Sequence, residues 1–189
     1  MLGGMRGARV VTLDDAVVQA RRILLSTGGL DMDDLATRLA VSRATLYRVV
    51  GSRERVLTEV TWTLIHDLLE QCVRQARGDG QEWVLDVTRR YTAALSTFDP
   101  YGVFVRAEPD VVARIVFGAD GVHQRAVAAQ RRIFERAGLG PAERLDDAAH
   151  VYVRVVESGM FADVFVGREV RDTVTEQAAR AVLEQLTTG

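Results

Sequence analysis

Three short helical segments lie between Thr12 and Gly51, and each has its own start and stop signals. Thr12 and Ser42 are typical N-cap residues, and the second segment starts at Asp31 or the residue after it. Gly28-Gly29 ends the first segment and Gly51 ends the third. The sequence therefore predicts three successive helices over this stretch.

Apolar residues recur at helical spacing through the remainder of the chain as well. Ser52 caps a long fourth segment that runs to about residue 76. After the break at Gly78-Asp79-Gly80, helices are predicted near 81–97, 100–107, 109–117, 121–137, 142–165 and 168–187. β-branched residues nowhere alternate with polar ones over a useful length. We therefore predict an all-α fold with two domains, residues 1–55 and 56–189.

The composition is that of a globular protein, with 48% hydrophobic and 26% charged residues. Charges interrupt the apolar runs, so no membrane span is expected. The start of the chain lacks the apolar stretch of a secretory signal, and a single cysteine cannot build a disulfide framework; both favour the cytoplasm. The formal net charge is −2, yet nine arginines face six carboxylates through residue 55, a net +3 that leaves −5 for the rest. The basic end is the one that suits nucleic acid.

The segment from Leu30 to Leu57 has the mechanics of a helix-turn-helix. A tight turn at Ala40-Val41 sets the third helix at a steep angle to the second. Ser42 leaves the N-terminus of the third helix capped but close to solvent, where the following side chains reach base edges in a major groove. The alternative is an ordinary helical hairpin with solvated arginines. The apolar wedge between the helices is supplied by Leu35, Leu39, Val41 and Leu46.

The block SRATLYRVVGSRE, residues 42–54, resembles the signature of the tetracycline-repressor family of transcriptional regulators. The resemblance covers residues 12 to about 60 and implies that residues 1–55 bind an operator in double-stranded DNA. It also implies that Thr12 touches a phosphate and that Arg53 clamps the DNA backbone. Two positions depart from the family: Ala40 stands where glycine is usual, and Val50 where phenylalanine is frequent. The side chains expected to face DNA are Ser42, Arg43, Ala44, Thr45, Tyr47 and Arg48.

Aromatic residues concentrate in the middle of the chain with a few polar residues beside them. A mostly apolar pocket with a few convergent polar groups is what a small-molecule effector site needs. The alternative for each of these residues is plain core or surface. The predicted effector-binding residues are Tyr91, Phe98, Phe104, Arg106, Phe117, His123, Tyr152, Glu157 and Phe161.

Two stretches, VRAEPDVVARIVFGADGVHQR and VYVRVVESGMFADVFVGRE, are loosely similar to the subgroup of these regulators that controls quorum-signal degradation. That resemblance implies a lactone effector, or a fatty acyl compound, with an apolar tail and a carbonyl-rich head. Glu157 or Arg154 would lie near that head.

The last two predicted helices carry apolar stripes. Such stripes indicate either core or an interface, and the family resemblance implies a four-helix bundle with a symmetry mate. Gly159 and Ala162 would permit close approach there. A two-fold homodimer also suits a palindromic operator with half-sites about 34 Å apart.

The chain lacks the motifs of an enzyme. Its histidines, His66, His123 and His150, are widely separated in sequence, and neither a metal spacing nor a phosphate loop nor a nucleophile elbow is present. No cofactor or metal is expected. Cys72 is either a redox sensor or, on a leucine-rich helix, a small buried hydrophobe. A helical enzyme, or a small-molecule-binding protein without DNA binding, remains the alternative function.

Overall fold

All regular structure in the computed structural model is helical within the residues that it describes, 10–97, 99–167 and 171–187. The predicted all-α fold is confirmed. Residues 1–9 and Phe98 lie outside the described residues. The helices are α1 (Leu13–Thr27), α2 (Met32–Arg38), α3 (Arg43–Val50), α4 (Arg53–Gln75), α5 (Gly80–Ser96), α6 (Asp99–Ala107), α7 (Pro109–Phe117), α8 (Val122–Arg136), α9 (Leu145–Val166) and α10 (Asp172–Thr187).

The first three helices begin at the residues that the sequence signals predict. The Thr12 hydroxyl accepts a hydrogen bond from the backbone N–H of Asp15 at 3.2 Å, and the Asp15 carboxylate accepts one from the backbone N–H of Thr12 at 3.1 Å. The side chain of Asp31 caps α2, and the Ser42 hydroxyl accepts from the backbone N–H of Thr45 at 3.1 Å. Each such cap stabilises its helix by about 1 kcal/mol.

The turn between α2 and α3 depends on Ala40. Its φ of 55° lies in the left-handed region, and it is the only residue other than glycine with a positive φ within the described ranges. An alanine pays a steric cost in this region that glycine avoids. Ala40, which stands where the family usually has glycine, thus adopts the left-handed conformation despite its β-carbon.

One core joins the three short helices to the helices that follow them. α1 contributes Ala16, Ala20, Ile23 and Leu24 at helical spacing, and α3 contributes Leu46 and Val50. The same core continues through the first half of α4 and into α6 and α7, with Phe104, Val112 and Ile115 fully or almost fully buried. The division between residues 55 and 56 therefore runs through a continuous region of packing, and the two-domain description stays a prediction.

α4 connects two cores. With 23 residues it is about 35 Å long. Val56, Leu57 and Val60 lie in the first core, whereas Cys72 and Val73 lie in a second core built from α5, α8, α9 and α10. A change in the tilt of α4 would therefore alter the packing of both cores.

The C-terminal helices differ from the prediction mainly at their starts. A 3-10 turn over Ala142–Arg144 precedes α9, and α10 begins at Asp172 rather than near 168. Residues 168–170 lie outside the described part of the chain. Among the helices of that part, none is both long and apolar enough to cross a bilayer.

Candidate DNA interface and effector cavity

The side chains predicted to face DNA lie on the outer surface of α3 and around its N-terminus. Leu46 and Val50 are completely buried and hold one side of the helix against the core. The opposite side of α3 faces outward, so its polar side chains are accessible while the helix is held against the core. Exposed or partly exposed there are Ser42, Arg43, Ala44, Thr45, Tyr47 and Arg48.

Arg43 is held in place on this surface by a carboxylate. Its Nη1 lies 2.8 Å from both carboxylate oxygens of Asp33 on α2, and its guanidinium lies 5.5 Å from the centroid of the Tyr47 ring. Both members of the ion pair are more than half exposed, so the pair contributes little to stability. Its effect is to orient the guanidinium beside the first turn of α3.

Thr12 lies exposed at the N-terminus of α1, where its hydroxyl also donates to the Asp15 carboxylate at 2.9 Å. A backbone N–H at a helix start is suited to a phosphate oxygen. The contact of Thr12 with DNA stays a prediction.

The side chain of Arg53 is hydrogen-bonded to other groups of the protein. Its Nη1 and Nη2 donate to Oε2 and Oε1 of Glu108 at 2.8 and 2.6 Å, and its Nε donates to the carbonyl oxygen of Leu30 at 2.9 Å. Hydrogen bonding to Glu108 raises the pKa of the Arg53 guanidinium, while burial opposes this. In this conformation the residue predicted to clamp the DNA backbone instead ties the α1–α2 loop to the junction of α6 and α7.

Two further ion pairs connect α4 to the C-terminal helices. Arg114 Nε on α7 lies 2.8 Å from Glu54 Oε1, and Arg125 on α8 forms a bidentate pair with Glu59 at 2.6 and 2.8 Å. Hydrogen bonding to Arg125 lowers the pKa of the Glu59 carboxyl. Together with Arg53 these pairs clamp the first half of α4 to α7 and α8.

A cavity of about 580 Å³ lies between α5, α6, α9 and α10. This volume is within the range of small-molecule sites. Of the predicted effector-binding residues, Arg106 and Phe161 line it. Helix packing also brings other residues into the wall, among them Arg89, Thr88 and Thr175. No aromatic pattern in the sequence could indicate these residues.

The other predicted effector residues lie elsewhere in the described structure. Phe104 is fully buried in the first core, and Tyr152 is buried in the second core with its hydroxyl 2.8 Å from that of Thr88. Tyr91 packs against the second core, and Phe117 lies beside Phe161 and Phe165 in an aromatic cluster. Phe98 is outside the described residues. The roles of these residues in binding stay predictions.

His123, Glu157 and His150 form a polar cluster on α8 and α9. His123 Nδ1 lies 2.9 Å from Glu157 Oε2, and its Nε2 lies 3.4 Å from His150 Nδ1. Burial raises the pKa of the Glu157 carboxyl, and the nearby His123 opposes this shift. The two histidines are 27 positions apart, so no sequence spacing could predict their contact. No group of ligands with metal-binding geometry occurs among the described residues.

Cys72 is 3% exposed, and burial raises the pKa of its thiol. A buried thiol with a raised pKa is a poor thiolate and reacts slowly. These properties favour the small hydrophobe over the redox sensor.

Gly159 lies on α9 against α10. A β-carbon added at this position would overlap the Thr175 hydroxyl on α10 of the same chain. The absence of a side chain at Gly159 thus serves the packing of α9 on α10 within one chain. The approach of a second copy at Gly159 and Ala162 stays a prediction.

A family model described as the C-terminal domain of tetracyclin repressor-like proteins matches residues 79–184. No curated protein matches the chain in sequence. Among solved structures, the chain is similar to the transcriptional repressor QsdR of R. erythropolis, with 24% identity over 94% of this chain and 96% of that chain and a TM-score of 0.84. It is also similar to the repressor AlkX of a Dietzia species, with 20% identity over 97% of both chains and a TM-score of 0.66.

A third solved structure, a TetR-family regulator from Mesorhizobium loti, is 20% identical over 97% of both chains with a TM-score of 0.51. These likenesses agree with the order of the helices described above. The family model covers more than half of the chain, and the helix-turn-helix precedes it where the sequence motif predicts. The chain belongs to the TetR family of ligand-responsive transcriptional regulators.

Proposed function

We propose that this protein is a homodimeric repressor that binds a palindromic operator in double-stranded DNA through α3 and leaves it when a small apolar, lactone-like or fatty acyl effector binds between its C-terminal helices. The observation that carries the proposal is the outward row of polar and cationic side chains on α3, a helix whose other side is fully buried. We expect it to act in the cytoplasm, where operator DNA lies.

Family membership confirms the expectation of a regulator rather than an enzyme. Within the part of the chain that the structure describes, no group of residues is arranged as an enzyme active site would require. The chain's nearest chemical candidate, the His123–Glu157 pair, is closed off by burial and by aromatic neighbours.

The effector class rests on the cavity and on the relatives. Its wall combines apolar side chains with polar and charged ones, among them Arg106, Asp163 and Glu176, which suits an amphipathic molecule. QsdR and AlkX are described as repressors, and AlkX as implicated in the biodegradation of n-alkanes. The description of AlkX is compatible with an effector that has an apolar tail.

The homodimer is proposed to form through the outer faces of α9 and α10. Val151 and Val174 are about half exposed there, at 49% and 52%. Ala178 and Ala181 are exposed on α10, and Ala148 is partly exposed on α9. Small and apolar residues on two neighbouring helices suit a helical interface between identical subunits.

The proposed release mechanism uses α4. α6 forms part of the cavity wall and also packs against α1, while α7 packs against α4. An effector that fits one placement of these helices would shift α4 and change the distance between the two copies of α3. Only a ligand with different affinities for the two placements can do this.

Glu108→Gln should release Arg53 for DNA. The substitution removes the carboxylate that occupies both terminal nitrogens of Arg53, so we expect several-fold tighter operator binding. The dependence of log K on log salt should also steepen by about two units, as for one added phosphate contact from each subunit of the dimer. Fluorescence anisotropy across a salt series measures both quantities. Glu59→Gln, which removes the partner of Arg125 instead, is the matched control and should leave the salt dependence unchanged. Weaker operator binding by Glu108→Gln would contradict the prediction, because the Arg53–Glu108 pair would then stabilise the DNA-binding conformation.

The proposed function is tested by the anisotropy of labelled duplexes with the purified full chain. One duplex carries the DNA upstream of its own coding sequence, and the other carries the same bases scrambled. Tight and preferential binding of the upstream duplex is expected. Equal binding of both at every salt concentration would contradict a sequence-specific regulator.

A further inference from the structure

The side chain of Arg55 lies at the corner between α3 and α4. Arg55 is exposed on the first turn of α4, whereas its neighbours Val56 and Leu57 are completely buried. A β-carbon at Gly51 would lie 3.6 Å from Arg55 Nη1 and 3.7 Å from its Cδ, so the side chain runs back over Gly51. The guanidinium therefore lies beside the C-terminal end of α3.

This position continues the outward face of α3. Residues three or four positions apart share one side of a helix, so Ala44, Arg48 and Gly51 follow one another along α3. Ala44 and Arg48 are exposed, and Gly51 is the residue at which the helix ends. The guanidinium of Arg55 thus extends the row of side chains predicted to face DNA beyond the last turn of α3.

The guanidinium of Arg55 forms no ion pair and donates no hydrogen bond within the described ranges. The two carboxylates nearest to it along α4 already have partners, because Glu54 pairs with Arg114 and both oxygens of Glu59 bind Arg125. Hydrogen bonding to Arg125 lowers the pKa of the Glu59 carboxyl, and the charge of Arg55 adds a smaller effect. Arg55 therefore keeps its donors for an anion from outside the chain.

Two other arginines near α3 differ from Arg55 in this respect. Both terminal nitrogens of Arg53 bind Glu108, and its Nε binds the carbonyl oxygen of Leu30. Arg43, at the opposite end of α3, is paired with Asp33. Of the two arginines in the first turn of α4, only Arg55 can bind an anion without first giving up a carboxylate.

The C-terminal end of a helix in the major groove lies at the edge of that groove. With eight residues α3 is about 12 Å long, which is about the width of the major groove of B-DNA. If the first turn of α3 meets base edges, a group beyond its last turn lies at the sugar–phosphate backbone. A guanidinium suits a phosphate there, because it remains charged and can donate two parallel hydrogen bonds.

We propose that Arg55 binds a backbone phosphate of the operator, in the role that the sequence motif assigns to Arg53. Each subunit of the dimer contributes one such contact, beyond the C-terminal end of its α3. The contact is independent of base sequence and holds the recognition helix in the groove. The assignment rests on the proposed function, since it names a residue that holds the operator proposed there.

The anisotropy of both duplexes across a salt series tests this contact with Arg55→Gln. We expect binding at about 0.1 M salt to weaken by on the order of tenfold or more on both duplexes, and the slope of log K against log salt to fall by about two units. Arg55→Lys keeps the charge and should keep the slope. Arg132→Gln, which removes an exposed arginine of α8, is the matched control and should change neither quantity.

An unchanged slope for Arg55→Gln would overturn the assignment, as would an equal fall for Arg132→Gln. A loss confined to the operator duplex would also overturn it, because Arg55 would then contact a base. Since Arg55 is exposed and unpaired, its substitution should leave the thermal midpoint of the free protein unchanged.

Arg53→Gln provides the direct comparison between the two arginines. It should leave the slope unchanged even if it lowers the thermal midpoint, because the Arg53 guanidinium already binds Glu108. A slope that falls by about two units for Arg53→Gln, and not for Arg55→Gln, would show that Arg53 leaves Glu108 and binds the phosphate instead.

Failure of this assignment can be distinguished from failure of the proposed function. Preferential binding of the upstream duplex, with no effect of Arg55→Gln on the slope, would refute the assigned contact alone. Equal binding of both duplexes by the unaltered chain would refute the sequence-specific regulator, whereas a lower slope for Arg55→Gln on those duplexes would still support the phosphate contact.

Discussion

Leu46→Ala should lower the free energy of unfolding by about 2–5 kcal/mol and abolish operator binding. Leu46 is 0% exposed, and it is one of two α3 residues that hold this helix against the first core. Removing its side chain leaves a cavity that the surrounding helices cannot fully close, and this adds to the lost burial. Urea denaturation followed by circular dichroism measures the stability, and anisotropy measures the binding.

Leu183→Ala is the matched control for this prediction. Leu183 is also 0% exposed, but it lies in the second core, far from α3 in the packing order. We expect a comparable loss of stability with operator affinity largely kept, when both variants are compared well below their unfolding midpoints. A Leu46→Ala protein that binds the operator normally would show that α3 is not the DNA-binding helix.

Arg43→Ala should weaken operator binding by at least about 30-fold, as the loss of one good base contact in each half-site does, with little change on the scrambled duplex. The Arg43 guanidinium lies at the first turn of α3, where a recognition helix meets base edges. Anisotropy with both duplexes measures the ratio.

Asp33→Asn provides the complementary change, because Asp33 holds the Arg43 guanidinium in the free protein. It should tighten operator binding. Equal losses on both duplexes for Arg43→Ala would instead assign this arginine to a phosphate.

The helix-turn-helix could be predicted from sequence because its determinants are local. Ser42 caps α3 through a hydrogen bond that spans three residues, and Gly51 ends the same helix with a positive φ. Even the unusual turn at Ala40 followed from the motif alone. Signals of this kind require no knowledge of the rest of the fold.

The cavity could not be predicted in the same way, because packing between distant helices creates it. Aromatic residues indicate buried surface, but they do not indicate where it lies. Phe104 and Tyr152 are buried in the two cores and do not line the cavity. The ion pair of Arg53 with Glu108 spans 55 positions. No local pattern distinguishes an arginine that binds phosphate from one that binds a carboxylate in another part of the chain.

The ion pairs of α4 have a consequence for regulation. Three arginines form ion pairs at this helix: Arg53 with Glu108, Arg114 with Glu54, and Arg125 with Glu59. These pairs connect α4 to α7, to α8 and to the junction of α6 and α7. Such partly exposed pairs are weak individually, but they can be exchanged at low cost when helices move. A difference of ~100-fold in operator affinity between two placements of α4 requires only about 2.7 kcal/mol.

The most direct test of the coupling between the cavity and α3 is the affinity of the effector in the absence and presence of saturating operator DNA. A lactone or fatty acyl compound that releases the operator is titrated calorimetrically into the free protein and into its operator complex. Because coupling between two binding sites is reciprocal, the operator should weaken effector binding by the same factor by which the effector weakens operator binding. Effector affinity that is identical with and without the operator would contradict the account, since the cavity would then be independent of the DNA-binding helix.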